Sequence, residues 1–212
     1  MKSTLYLSLI VFVFLYLASC SNNIDCQDET HPHLVDLGLP NGTMWACCNV
    51  GANSCEDIGG YYAWGETSVK SIYDEIHYQH NEVSNRIPQR MRNIAGSKFD
   101  VASVRMGSMW TIPTSEQWNE LIDYCKWEWV KCRGRQGWKI TGPNGNQIFL
   151  PAGGMKGGND CYSKDDHGYY LTSDYDPSDD SPYQFFTNGG CREIRSSGGY
   201  RAYGHNVRAV GK

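Results

Sequence analysis

His33-Leu34-Val35-Asp36-Leu37-Gly38-Leu39-Pro40-Asn41-Gly42-Thr43-Met44-Trp45-Ala46-Cys47-Cys48-Asn49-Val50 reads as a hairpin. An extended run, His33–Leu39, leads into Pro40-Asn41-Gly42-Thr43. Asn-Gly between two extended runs is a strong short-range signal for antiparallel strands joined by a turn. Met44–Val50 is then the returning strand. Asn41-Gly42-Thr43 is also a glycosylation sequon, but the turn accounts for it better. With 23 Gly, 14 Tyr, 7 Trp and 20% charged residues, the composition indicates a loop-rich, aromatic fold rather than a helical bundle.

Outward from the hairpin, the clearest local signal is Pro113-Thr114-Ser115-Glu116-Gln117-Trp118. Thr114 with Gln117 three residues on makes a capping box, which satisfies orphan amides at a helix start. Trp118, Leu121, Ile122 and Cys125 recur at helical spacing, so a helix over about 115–125 buries one stripe. Trp127-Glu128-Trp129-Val130 alternates as a strand, and Gly137–Thr141 leads into the turn Gly142-Pro143-Asn144-Gly145-Asn146. Gln147–Ala152 follows as a buried strand, and Asn206-Val207-Arg208-Ala209-Val210 is the last one. Residues 56–67 read as a Gly-punctuated turn and a short aromatic strand, while 68–98 give no clear pattern. The expected class is α+β, with short antiparallel strands, one clear helix and long loops.

The start of the chain is an address. A basic Met1-Lys2, an apolar run from Leu5 to Leu17 and Leu17-Ala18-Ser19-Cys20 make a lipoprotein signal, with residues 1–19 removed and Cys20 lipidated. The run is too short for a spanning helix, which needs roughly 20 apolar residues. Residues 20–33 read as a lipidated cysteine with a polar tether, and 34–212 as one domain. The partner this predicts is the membrane, through the lipid, and the location an outer membrane facing outward rather than into the periplasm. A net charge of −4 without basic blocks points away from nucleic acid. Of nine cysteines, Cys20 is set aside, leaving Cys26, Cys47, Cys48, Cys55, Cys125, Cys132, Cys161 and Cys191. An even number in an exported chain suggests disulfides, of undetermined pairing.

The candidate binding region is Asn159–Asn206, where 29 of 48 residues are Tyr, Asp, Gly, Ser or Asn. Recognition loops favour this mixture, because Tyr offers large contact area at low conformational cost. The candidate contacts are Tyr162, Tyr169, Tyr170, Tyr175, Tyr183, Tyr200, Tyr203, Asp174 and Asp176. Trp127 and Trp129 are the tryptophans best suited to stacking on a ligand, although core is the better reading for them too. Asp174, Asp176, Asp179 and Asp180 could offer oxygen to calcium, but a solvated acidic loop explains them better. No C-x-x-C pair accompanies His31-Pro32-His33 or His77-x-x-His80, so no metal and no cofactor are expected. No nucleophile motif is present either, and no enzymatic activity is expected.

The chain resembles the Fibrobacter succinogenes major paralogous domain, a family common in exported lipoproteins of Bacteroidetes type. The resemblance rests on Val35–Ala46, Cys48-Asn49-Val50-Gly51-Ala52, Tyr62-Ala63-Trp64-Gly65-Glu66-Thr67, Asp100-Val101-Ala102 and Trp110-Thr111-Ile112-Pro113-Thr114. It continues through Cys125–Trp129, Thr141–Asn146, Ile148–Ala152 and Gly204–Val210. It implies a C-type-lectin-like fold, in which the first and last strands pair and long loops carry binding. Cys48 and Cys125 stand where the family usually has cysteine, which implies a bond between them. Three positions depart from the family pattern: Thr111, Leu171-Thr172-Ser173 and Val207-Arg208-Ala209-Val210. The Asn159–Asn206 segment also resembles the variable ends of lectin-like proteins diversified by retroelements.

The function so implied is a lipid-anchored envelope protein displaying a lectin-like domain to an unknown glycan or protein, for ligand binding or adhesion. The alternatives are a structural or assembly subunit of the envelope, and an oxidase of the formylglycine-generating type, for which no active-site cysteine motif is found.

Overall fold

The computed structural model describes residues 31–80, 89–179, 181–197 and 200–211. The leader, the lipidation candidate Cys20 and Cys26 lie outside the described residues.

The opening hairpin forms, in a shape that Asn-Gly alone does not specify. Strand β1, Leu34–Asp36, pairs antiparallel with β2, Met44–Ala46, with Leu34 opposite Ala46 and Asp36 opposite Met44. The strands stop there because Gly38 at φ 71° turns the chain and buries Leu37. The tight turn closes later, where the Gly42 amide donates to the Leu39 carbonyl at 3.0 Å with Gly42 at φ 70°. Glu120, buried on the first long helix, seals the loop by accepting from the Asn41 amide at 2.7 Å and the Thr43 hydroxyl at 2.8 Å.

The last strand, β12 (Val210–Gly211), joins this hairpin and β3 (Trp110–Thr111) in a four-stranded sheet of order β1-β2-β12-β3. The two ends of the chain therefore share a sheet, but β2, not β1, is the neighbour of β12. The expected direct pairing of first and last strands is corrected by one strand, since β1 takes the outer edge of β2.

Two helices of unequal length precede and follow β3 in the chain. Helix α1, Val101–Met106, was not foreseen; Asp100 caps it by accepting from the Ala102 and Ser103 amides, and the same buried carboxylate accepts from Gly96 and Ile112. Desolvation pushes the Asp100 carboxyl above the usual range, against the pull of those amides. Helix α2, Ser115–Tyr124, starts on the expected capping box: Thr114 accepts from the Gln117 amide, and the Gln117 side chain accepts from the Thr114 amide. Its buried Trp118 stacks on Phe185 at 4.3 Å between ring centres and meets Trp45 at 4.7 Å. Offset aromatic packing of this kind adds to the area buried, by about 1 kcal/mol per pair.

Strands β4 (Lys126–Cys132), β5 (Arg135–Thr141) and β6 (Gln147–Pro151) form an antiparallel sheet, as their alternation and the turn at 142–146 suggest. A two-stranded unit, β7 (Met155–Gly157) with β8 (Asp160–Tyr162), follows. The region after it overturns the loop reading. Strands β9 (His167–Asp176), β10 (Ser181–Asn188) and β11 (Cys191–Ser196) make a third antiparallel sheet from the Tyr/Asp/Gly/Ser-rich segment. Tyr, Phe and Thr within it favour a pleated, half-buried surface, and Gly189-Gly190 supplies a two-residue hairpin turn with Asn188 opposite Cys191. The architecture is α+β and mostly antiparallel.

Residues 204–211 run as a seam between these units. The Ala46 and Val50 amides donate to the Ala209 and Val207 carbonyls, Tyr62 bridges His205, and the Leu171 amide donates to Asn206. At the centre of the seam lies Arg208, fully buried. Its Nε donates to Asn49 Oδ1 at 2.9 Å, Nη1 to the carbonyls of Ala46 at 2.9 Å and Cys47 at 2.8 Å, and Nη2 to Phe149 at 2.7 Å. The rigid guanidinium fork serves four acceptors in two chain segments, 46–49 and β6, at once, which the compact lysine ammonium cannot. Arg208→Lys is expected to lower stability by about 3–5 kcal/mol, the usual cost of leaving a buried charge and its acceptors mispaired. Urea unfolding of the two proteins checks this, and a loss below ~1 kcal/mol would contradict the arrangement.

Candidate functional site

The candidate contact residues do not share one face. Tyr170 is core: it is fully buried, its hydroxyl donates to the Pro151 carbonyl at 2.6 Å, and burial pushes its phenol up. Tyr175 packs against the core around Trp64 and Ile112, with the Arg92 guanidinium 5.1 Å from its ring. Asp174 supports the start of helix α2, accepting from the Ser115 amide at 3.0 Å and from its hydroxyl. Asp176 holds the turn after β9, accepting from the Ser178 amide at 2.9 Å and hydroxyl at 2.6 Å, and these bonds pull its carboxyl below the usual range. Burial, helped by the charge of Asp176, raises the Tyr183 phenol. Asp179 accepts from the Ser196 hydroxyl, so the described acidic residues here serve the fold. Tyr200 opens the 3-10 turn Tyr200–Ala202, and its side chain lies outside the described residues.

Two aromatic surfaces remain. On the third sheet, Tyr169 packs with Phe186 at 5.2 Å, beside His167, and the Arg195 guanidinium lies 3.7 Å above the Phe186 ring centre. Beneath them His205 is fully buried, its Nδ1 3.0 Å from the Tyr203 carbonyl and Nε2 3.1 Å from Gln184 Oε1.

The second surface is built around the β7–β8 hairpin. Tyr162 is half exposed, and Tyr203 packs beside Tyr61 against the buried Tyr73 and Tyr78. Gly157 brings the two candidates together: a Cβ there would meet Tyr203 Cε2 at 2.8 Å and Tyr162 Cε2 at 3.2 Å. The Lys156 ammonium sits 5.3 Å from the Tyr61 ring centre, and the Tyr61 hydroxyl, donating to Gly153 at 2.5 Å, also contacts Cys161 Sγ at 3.4 Å. Sequence reading missed Tyr61 and Lys156 because they lie in separate segments that meet through the Tyr73–Gly158 and Lys156–Gly204 bridges. Trp127 and Trp129 edge the core, both packing against Trp138.

The described cysteines are not cross-linked. None of the seven described cysteines forms a disulfide, Cys48 and Cys125 included. Cys48 follows β2, fully buried, with its sulfur toward the Ala52 carbonyl, whereas Cys125 ends helix α2 and packs with Trp118 and Leu121. Burial pushes the Cys125 thiol up to about 11. Cys47 is the opposite case. The Cys48 thiol, the His33 backbone amide, His31 and the Arg208 charge outweigh desolvation and hold it down at about 4. His31 Nδ1 lies 3.2 Å from Cys47 Sγ, and His33, His31 and Cys47 each offer a donor atom within 4.8 Å of the others. Spacing rules looked for paired cysteines near the histidines, whereas here the ligand types meet across a strand pair. The signal that could have found them is hairpin register, which sets Cys47 opposite His33.

Compared with known proteins, the chain matches no family model, and no curated protein and no solved structure is significantly similar to it.

The buried His205 gives a pH prediction. Desolvation, against the Tyr203 carbonyl and with the Arg195 charge, lowers its pKa from 6.5 to about 4. The unfolded chain thus binds this proton first, so the stability present above pH 6.5 is lost as pH falls toward 4, by on the order of 3 kcal/mol. Urea unfolding of wild type and His205→Gln at pH 7 and pH 4.5 reads it. The variant is expected to lose less on acidification, and equal losses would remove His205 as the cause.

Proposed function

We propose that this chain is a lipid-anchored protein of the cell envelope that displays a C-type-lectin-like domain for binding a glycan or a protein at the cell surface. The leader ending at Cys20 supports the anchor, and a sheet shared by the opening hairpin and the closing strand supports the lectin-like reading. The observation that carries the binding role is the Tyr61–Tyr162–Tyr203 surface with Lys156 at its edge. Phenol rings bring apolar faces that stack on sugar C–H surfaces or side chains, with hydroxyls for hydrogen bonds, at little conformational cost. The ammonium adds a donor for ring oxygens or carboxylates.

The full-length protein, solubilised in detergent, is to be probed on glycan and protein arrays. A specific hit is expected that Tyr162→Ala weakens about tenfold or more, as loss of an aromatic anchor does at other interfaces. Tyr162 is exposed, so this variant retains the fold. A hit indifferent to Tyr162→Ala and Lys156→Ala would move the binding surface elsewhere, and no hit at all would favour a structural or assembly role in the envelope.

A further inference from the structure

We propose that His31, His33 and Cys47 form a zinc site that fastens the segment before the first strand to the packed sheet. The site is a product of the first hairpin's register. Leu34 stands opposite Ala46, and one step further the Cys47 amide donates to the His33 carbonyl at 3.0 Å, which sets His33 and Cys47 opposite one another. Directly opposed side chains on an antiparallel pair lie close enough to share a ligand. His31 and His33 flank Pro32, where the chain bends before β1, and both reach toward the same sulfur. Their rings stack with centres 5.8 Å apart and planes at 27°.

The donor set suits zinc. Thiolate and imidazole are its preferred ligands, and bonds of about 2.0–2.3 Å in a tetrahedron put neighbouring ligand atoms about 3.5 Å apart. Here His31 Nδ1 and Cys47 Sγ are already 3.2 Å apart, and all three atoms lie within 4.8 Å of one another. Small rotations of the two half-buried imidazoles close the remainder. The sulfur also accepts from the His33 amide at 3.4 Å, an outer contact of the kind that orients ligands at metal sites. Arg208 holds the Cys47 carbonyl at 2.8 Å, fixing the residue's backbone, with the sulfur turned to the histidines. Three protein ligands leave one tetrahedral position for water. His31 and His33 belong to the segment leading from Cys20, while Cys47 belongs to the packed sheet, so the metal ties one to the other. This site is separate from the tyrosine surface and does not depend on it.

The test uses the full-length protein in detergent, reduced and stripped with a chelator, then titrated with Co²⁺ as a spectroscopic stand-in and with Zn²⁺. One Co²⁺ per chain is expected, with a thiolate-to-cobalt charge-transfer band and strong tetrahedral d–d bands, both abolished by Zn²⁺. Cys47→Ser should remove the charge-transfer band, and Cys191→Ser should keep it. His31→Ala, whose residue precedes the first strand and so leaves the fold intact, should weaken Zn²⁺ binding at least about tenfold, the loss that even outer-contact changes cause. Co²⁺ bound without a thiolate band, a band that survives Cys47→Ser, or Zn²⁺ affinity unchanged in His31→Ala would each overturn the proposal.

Discussion

A cation buried without a carboxylate is the constraint on which the rest of this structure depends. Arg208 has no solvent access, and its described acceptors are three backbone carbonyls and one side-chain amide. Moving such a charge from water is costly, and only good hydrogen-bond geometry on several donors offsets it. The acceptors come from the end of β2, from Asn49 just after it and from β6, so the arginine's hydrogen bonds form only if these segments are in place. The same arginine fixes the Cys47 carbonyl at 2.8 Å, so the residue that follows β2 is held in place from this side.

This requirement arranges the surroundings. The seam at 204–211 can carry Arg208 inward only by pairing with β2 on one side and reaching Tyr169–Leu171 on the other. That pairing brings the third sheet over helix α2, where Trp118 fills the space between Trp45 and Phe185. The same hairpin register that serves the arginine at Cys47 also sets the sulfur against the two histidines. The hairpin Met155–Tyr162 is left at the periphery, joined by single bridges, and there Gly157 brings the exposed Tyr162 beside the partly buried Tyr203. Packing and binding thus divide the tyrosines: Tyr170 belongs to the core, Tyr162 to the surface.

Local chemistry was legible in the sequence; meetings between distant segments were not. The Thr114–Gln117 box and the Trp118–Leu121 stripe specify helix α2 on their own, because every group involved lies within a few residues. The Trp127–Val130 alternation and the 142–146 turn likewise announce β4 to β6. The third sheet was hidden by its Gly, Ser and Asp content, although Tyr169–Thr172 and Phe185–Thr187 carry strand-forming side chains. Helix α1 escaped because it is one short turn and a half, secured by the buried Asp100 rather than by an apolar stripe. An even cysteine count suggested disulfides, but counting says nothing of geometry, and no disulfide joins the described cysteines. Arg208 stood in plain sight as part of a terminal strand; only the fold reveals that it points inward.

Native-state hydrogen exchange reads the central claim directly. The Ala46, Val50 and Leu171 amides donate to the Ala209, Val207 and Asn206 carbonyls respectively, so all three report on the seam that carries Arg208. If that seam opens only when the whole domain unfolds, the three amides will exchange with one common free energy equal to that of global unfolding. Ala46 and Val50 exchanging through a cheaper local opening, while Leu171 stays protected, would contradict the account.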